Sequence, residues 1–274
     1  MFLINGQFNE ILSIQDRGLH YGDGVFETIA IQDERPLCWD KHISRLNLGC
    51  RCLGFDCPAE ELLQYEANQL CANTQRGVLK IILTRGQGGR GYKPPESPGM
   101  PTRILANYPW PDFPEANAIH GVKIKICNTR LGRNSQLAGI KHLNRLEQVL
   151  ARSEWDTEDI AEGLMLDTEG NVIEGTMSNL FIAHGDKLLT PDLTYCGIAG
   201  IIRQSILALA PEFGMQIGVM PITQNELYAA DEIFLCNSVI GIWPVRQLVD
   251  HYYKPGLWAA RIRGQLIKQG VIAA

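Results

Sequence analysis

Several absences narrow this chain before any motif is read. Its eight cysteines (Cys38, Cys50, Cys52, Cys57, Cys71, Cys127, Cys196 and Cys236) form no C-x-x-C, and no histidine stands at zinc-ligand spacing from a cysteine pair. A structural zinc site and a dithiol redox centre are therefore not expected. Several of the cysteines sit in apolar stretches such as "IFLCNS", the setting of buried free thiols in a reducing compartment. No apolar run approaches the roughly 18 residues a membrane helix needs. The opening "MFLINGQFNE" lacks the basic and apolar segments of a signal peptide, so the expected location is cytoplasmic. A net charge of -5 supplies no field for attracting nucleic acid or an anionic membrane. Internal repeats, low-complexity tails, H-E-x-x-H, a Walker motif and a Ser/His/Asp order are all missing. What remains has ordinary globular composition, 45% hydrophobic and 20% charged, over 274 residues, enough for one large domain or two modest ones.

The hydrophobic pattern fills that length with alternating elements. "MFLIN" and "VFETIAIQ" read as strands. "WDKHISRLNLGCRCLGF" carries Ile43, Leu46, Cys50 and Leu53 at helical spacing, and "PAEELLQYEANQLCA" opens on proline and acids as helices prefer. Strands follow at "GVLKIILTR", "TRILANY" and "VKIKICN". The three prolines of "PWPDFP" mark an interdomain linker at residues 111–117, between a smaller N-terminal domain (1–110) and a larger C-terminal, cofactor-binding domain (118–274). In the second part, "HLNRLEQVLARSEW" predicts a helix with Leu143, Leu146 and Leu150 on one apolar face. "EGLMLDTEGNVIEGTMSNLFIAHGDKLLTP" predicts a β-meander turning at "DTEGN" and "HGDK". The fold class is mixed α/β in two domains.

Five features could carry chemistry, and each has a plain structural explanation when taken alone. Gly86, Gly88 and Gly91 satisfy G-x-G-x-x-G after a strand, but "YKPPESPG" follows, and no dinucleotide-binding helix can open there. The long loop keeps Arg85, Arg90 and Tyr92 as candidate functional groups. "GIAGIIRQ" opens a helix near Ile201 after two glycines with no acid in its first turn, which leaves free amides for an anion. Arg45 lies on a helix between Ile43 and Leu46, where partial burial against a phosphate is conceivable. Glu174 ends the strand "NVIE" on the same face as Val172. Lys141 precedes a helix, and a lysine by itself is a solvated side chain.

Taken together and in order, these segments resemble the fold-type IV pyridoxal-phosphate enzymes. That family includes branched-chain and D-amino acid aminotransferases and the lyases that act on 4-amino-4-deoxychorismate. The resemblance is carried by "DRGLHYGDGVFET" (16–28), "HISRL" (42–46), the Lys141 segment, "VIEGTMSNLF" (172–181), "GIAGIIR" (197–203) and "DEIFLCNS" (231–238), which span almost the whole chain. Within the family, "RGQGGRGY" (85–92) and "RLGRNSQLAGIKHLNRLEQVLAR" (130–152) are similar to the lyase branch. An aminotransferase on branched-chain or D-amino acids is the alternative.

The resemblance implies that Lys141 holds pyridoxal 5'-phosphate through its amine and that Arg45, the backbone of Ile201 and Ile202, and Ser238 bind the phosphate. It implies that Glu174 pairs with the pyridine nitrogen. The expected reaction converts 4-amino-4-deoxychorismate to 4-aminobenzoate and pyruvate, the last step toward the aromatic unit of folate. Thr28 is the expected hydroxyl at the leaving oxygen, and Arg90 and Tyr92 are expected at the substrate carboxylates. A homodimer is implied as well, with the 85–99 loop as a candidate for closing the partner's site.

Overall fold

The computed structural model describes residues 1–95, 99–254 and 256–273, so residues 96–98 of the long loop lie outside what is described. The chain divides into two compact units. Unit 1 comprises Met1–Pro111 together with Ile140–Asn144, and unit 2 comprises Asp112–Gly139 and Arg145–Ile272. The short segment that contains Lys141 thus packs with the N-terminal unit although it follows the proline-rich stretch.

Unit 1 contains β1 (Phe2–Ile4), β2 (Gln7–Phe8), α1 (Arg17–Tyr21), β3 (Gly24–Gln32), β4 (Arg35–Pro36), α2 (Trp39–Leu53), α3 (Glu60–Cys71), β5 (Arg76–Thr84) and β6 (Thr102–Pro109). Its strands form one antiparallel sheet in the order β2-β1-β6-β5-β3-β4. Along β3 the side chains alternate, so Val25, Glu27, Ile29 and Ile31 share one face and Phe26 and Thr28 the other. The first set joins Ile43, Leu46 and Cys50 of α2 and Leu63, Ala67 and Leu70 of α3 in a single buried cluster, apart from Glu27. Burying each such aliphatic side chain contributes about 1.5–3 kcal/mol.

Unit 2 contains α4 (Ala116–His120), β7 (Val122–Leu131), α5 (Leu146–Arg152), β8 (Ile160–Asp167), β9 (Val172–Gly175), β10 (Asn179–His184), β11 (Lys187–Pro191), α6 (Ile201–Leu209), β12 (Gln216–Met220), α7 (Gln224–Ala229), β13 (Glu232–Asn237), β14 (Gly241–Leu248), β15 (His251–Tyr252) and α8 (Leu257–Lys268). Its mixed sheet runs β12-β11-β10-β13-β14-β7-β8-β9, with β15 on β14. Among the described residues, no helix is long and apolar enough to cross a membrane.

The structure corrects three details of the sequence reading. The meander is broken: β8 pairs with β9 and β10 with β11, but β10 lies against β13 rather than β9. The tight turn at Gly175–Ser178 between β9 and β10 is wound around the buried Glu162 carboxylate. The predicted helix at 142–155 starts only at Leu146, because the backbone before it pairs elsewhere: Val25 and His142 form a β-bridge, and Leu143 N–H donates to Gly24 O at 3.0 Å. Its presumed apolar face is not covered, since Leu146 and Leu150 are 76% and 59% exposed. Finally, Cys52 is exposed and Cys38 and Cys57 are half-buried, leaving five cysteines fully buried.

Candidate active site

In unit 1, Lys141 is tied to β3 through its own backbone, with its carbonyl accepting from Phe26 N–H at 2.9 Å. Its half-buried side chain brings Nζ 4.3 Å from the centroid of the Phe26 ring, a cation–π distance. Thr28 is two residues along the same strand face and directly opposite Lys80 of β5. Lys80 Nζ lies 5.5 Å from the same Phe26 ring. Two ammonium groups and a hydroxyl therefore share one face of this sheet around a single aromatic ring. Lys80 was not singled out from the sequence; the signal was a lone lysine inside the otherwise apolar run "GVLKIILT".

On the opposite face of β3, Glu27 is completely buried and takes three hydrogen bonds from α2. Arg45 donates Nε to Oε1 at 2.8 Å and Nη2 to Oε2 at 2.5 Å, and His42 Nδ1 lies 2.6 Å from Oε2. Burial pushes the Glu27 carboxyl upward, but the Arg45 charge and the hydrogen bonds outweigh it and hold the pKa at about 2. Burial lowers the pKa of His42 despite the opposing pull of Glu27. The sequence pointed to Arg45 as a phosphate ligand; the structure shows that Glu27 holds its Nε and Nη2 and so fixes the plane of its guanidinium.

Arg90 and Tyr92 also belong to unit 1. Arg90 is exposed, and the Tyr92 side chain is 87% exposed. The loop that carries them is fastened to α1 through its backbone, as described below.

In unit 2, Glu174 is the penultimate residue of β9 and is buried at 3% exposure. Its Oε2 accepts from Ile198 N–H at 2.8 Å and lies 3.4 Å from Asn179 Nδ2, which also donates to Ile198 O at 2.9 Å. The segment that contacts Glu174 runs straight into α6. Gly200 caps that helix without any side-chain hydrogen bond, and its first turn holds no acid. A Cβ on Gly200 would meet Asn179 Oδ1 at 2.0 Å, so glycine is required for the close approach. The amides that open α6 are the unpaired donors of a helix N-terminus, favourable to an anion. Ile201 and Ile202 supply them from a buried position. Ser238 is half-buried in the turn after β13, where Asn237 Oδ1 accepts from Val239 and Ile240 N–H at 2.8 Å each. Burial lowers the pKa of the Arg145 guanidinium, with Glu174 and Glu147 acting in the opposite sense.

The chemistry of these unit 2 residues suits a phosphorylated pyridine. A carboxylate and an uncapped helix N-terminus hang on one short segment, Gly197–Ile202, and that segment is shaped by glycines a side chain could not replace. Unit 1, by itself, carries a half-buried amine at Lys141. Among the described residues, no group of His, Cys, Asp or Glu could hold a metal ion.

The model of the class IV aminotransferases matches residues 24–248, and the chain belongs to that family, whose members use pyridoxal phosphate. Its relatives include aminodeoxychorismate lyase of Vibrio harveyi, 36% identical over 245 residues, or 89% of this chain and 90% of that protein. The crystal structure of 4-amino-4-deoxychorismate lyase from Pseudomonas aeruginosa is 43% identical, with a TM-score of 0.95 over 99% of this chain and 100% of that one. A putative branched-chain-amino-acid aminotransferase of Methanocaldococcus jannaschii is 32% identical over 252 residues, 89% of this chain and 86% of that protein.

Proposed function

We propose that the protein is a pyridoxal-phosphate-dependent lyase that converts 4-amino-4-deoxychorismate to 4-aminobenzoate and pyruvate. The observation that carries this reading is the end-to-end likeness to the Pseudomonas aeruginosa lyase, 43% identical with both chains fully covered. The reaction balances with no added water or amino acceptor: the ring loses the C4 proton and the C3 enolpyruvyl group, and aromatisation drives it forward.

Bound pyridoxal phosphate supplies an electron sink for the charge left at C4 of the substrate. The amines and acids of the chain do the rest. Lys141 would hold the cofactor through its amine and would serve as the general base that takes the C4 proton. Glu174 keeps the pyridine nitrogen protonated. The amides of Ile201 and Ile202, with Arg45 and Ser238, receive the phosphate. Thr28 gives a proton to the departing enolpyruvyl oxygen, supported by its place on the strand face that carries Phe26 and the Lys141 ammonium. The substrate's two carboxylates are met by Arg90 and Tyr92, with Lys80 as a further cation on the same sheet face as Thr28. Homodimerisation is part of the proposal, supported by the exposed apolar stripe Leu146, Val149 and Leu150 on α5.

A purified, cofactor-loaded sample is expected to be yellow, with a band near about 410–430 nm that depends on Lys141. A colourless protein after reconstitution overturns the cofactor assignment. The second reading, an aminotransferase, draws on the 32% identity to the Methanocaldococcus protein. It requires a 2-keto acid for turnover, whereas the lyase rate is indifferent to one.

A further inference from the structure

The loop that carries Arg90 and Tyr92 is held by a residue the proposed reaction does not otherwise use. Arg17, in the first turn of α1, is 4% exposed. Its guanidinium donates Nη1 to Gly91 O at 3.0 Å and Nη2 to Tyr92 O at 3.1 Å, while Nε donates to Asp23 Oδ2 at 2.8 Å. The Gly91 N–H donates to the Tyr21 hydroxyl at 3.0 Å. Both polar groups of Gly91 are therefore fastened to α1, and Gly91 holds a φ of +108° that a side chain would resist. Arg17 Cζ stands 4.8 Å from the Tyr21 ring, and the Tyr21 and Tyr92 rings meet edge to face at 5.5 Å. Farther back along the loop, Arg17 N–H donates to Gly86 O at 2.9 Å and Gly88 N–H to Gln15 O at 3.2 Å.

We propose that Arg17 is a positioning residue for the substrate: its guanidinium fork grips the Gly91 and Tyr92 carbonyls, so that the Arg90 and Tyr92 side chains stand as a preformed receptor for carboxylates. This rests on the lyase reading given above. A planar fork suits two successive carbonyls and a carboxylate at once, and a lysine ammonium cannot reproduce it. Asp23 fixes the fork from the other side, and Asp23 is itself anchored by Arg85 through Nε to Oδ2 at 2.8 Å and Nη2 to Oδ1 at 3.0 Å. The two arginines hold the Asp23 carboxyl below its ordinary range against the opposing effect of burial. Gly88 is the space the clasp needs: a Cβ there would lie 2.7 Å from Arg17 Cδ, although its own φ is not left-handed and would accept alanine.

The test uses the cofactor-loaded full chain carrying Arg17→Lys, Gly88→Ala, or both. Arg17→Lys is expected to raise KM for aminodeoxychorismate about tenfold, the scale of one or two charge-assisted hydrogen bonds, with kcat within about twofold of the parent. The cofactor band should be unmoved. Trypsin cleavage after Arg90 should accelerate by a similar factor. Gly88→Ala should move both readouts the same way, and the double variant should be no worse than the more severe single one, because both break one clasp. The proposal is overturned if Arg17→Lys leaves KM and the cleavage rate at parental values, or if it lowers kcat and bleaches the band while KM holds. Cleavage is read without turnover, so a failed clasp and a failed lyase assignment give different results.

Discussion

The two units hold most, though not all, of their buried acids in different ways. In unit 1 three buried or nearly buried carboxylates are matched by arginines, Glu27 by Arg45, Asp23 by Arg17 and Arg85, and Glu66 by Arg103 at 2.7 Å, while Asp16 is held by the Gly18 N–H and the Thr84 and Thr102 hydroxyls. In unit 2 Asp167 pairs with Arg133 at 2.7 Å, but Glu162 and Glu232 are held by hydrogen-bond donors without charge. Glu162 accepts from the N–H groups of Gly163, Thr176 and Met177 and from the hydroxyls of Thr176 and Ser178. Glu232 accepts from Trp258 and Ala259 N–H at the start of α8. The consequence shows in opposite proton affinities: the pKa of Glu27 is held at about 2 and that of Asp23 is lowered, whereas burial raises those of Glu162 and Glu232. Arginine pairs make unit 1 a rigid ionic frame around the amine-bearing face. Among the described residues of unit 2, Glu162 shapes the Gly175–Ser178 turn with no ion pair of its own.

The largest expected effect separates the amine of one unit from the acid of the other. Lys141→Ala should abolish the band near about 410–430 nm and reduce turnover by about 10³-fold or more, because nucleophile and base are lost together. Glu174→Gln should retain the band and lower kcat by about 10²-fold, since only the electron demand of the ring is weakened. Equal effects from both would erase the division of labour.

The next effects are on stability. Glu27→Ala strands a buried Arg45 and should cost about 3–5 kcal/mol in denaturant unfolding. Glu162→Gln turns an amide donor toward a ring of donors and should cost about 1–3 kcal/mol. If Glu162→Gln proves the more damaging, the contrast between ionic and amide-held acids is misdrawn.

Acid should discriminate the units more subtly. Glu27 has a folded pKa below its ordinary 4.5, so its stabilisation is complete above 4.5 and is lost as pH falls toward about 2. Glu162 and Glu232 have folded values above 4.5, so their contribution is largest in acid and declines as pH rises through the raised values. Pulsed hydrogen exchange near pH 3 should therefore show β3 and α2 losing protection before β8 and β13. The reverse order would contradict this account.

Much of the scaffold was legible in the sequence because its signals are local. The apolar spacing of Ile43, Leu46 and Cys50 places α2, and glycine before an acid-free helix start marks α6. What was hidden depended on partners far apart in sequence. Nothing local to Arg45 shows that Glu27, on a neighbouring strand, takes two of its nitrogens and orients it. The start of α5 was misplaced because residues 142 and 143 spend their backbone hydrogen-bonding capacity on β3, a tertiary pairing no helical propensity reveals. Glu162 was not singled out in the sequence, and only the turn it organises explains its burial. Lys80 needed its register opposite Thr28 before it meant anything.

The most direct test of the central claim is to incubate the cofactor-loaded protein with 4-amino-4-deoxychorismate alone, with every 2-keto acid removed, and to quantify both products over many turnovers. The account predicts equal amounts of 4-aminobenzoate and pyruvate, with a rate unchanged when a keto acid is added back. Absence of both products, with amino-group transfer from an amino acid once a keto acid is supplied, would contradict it.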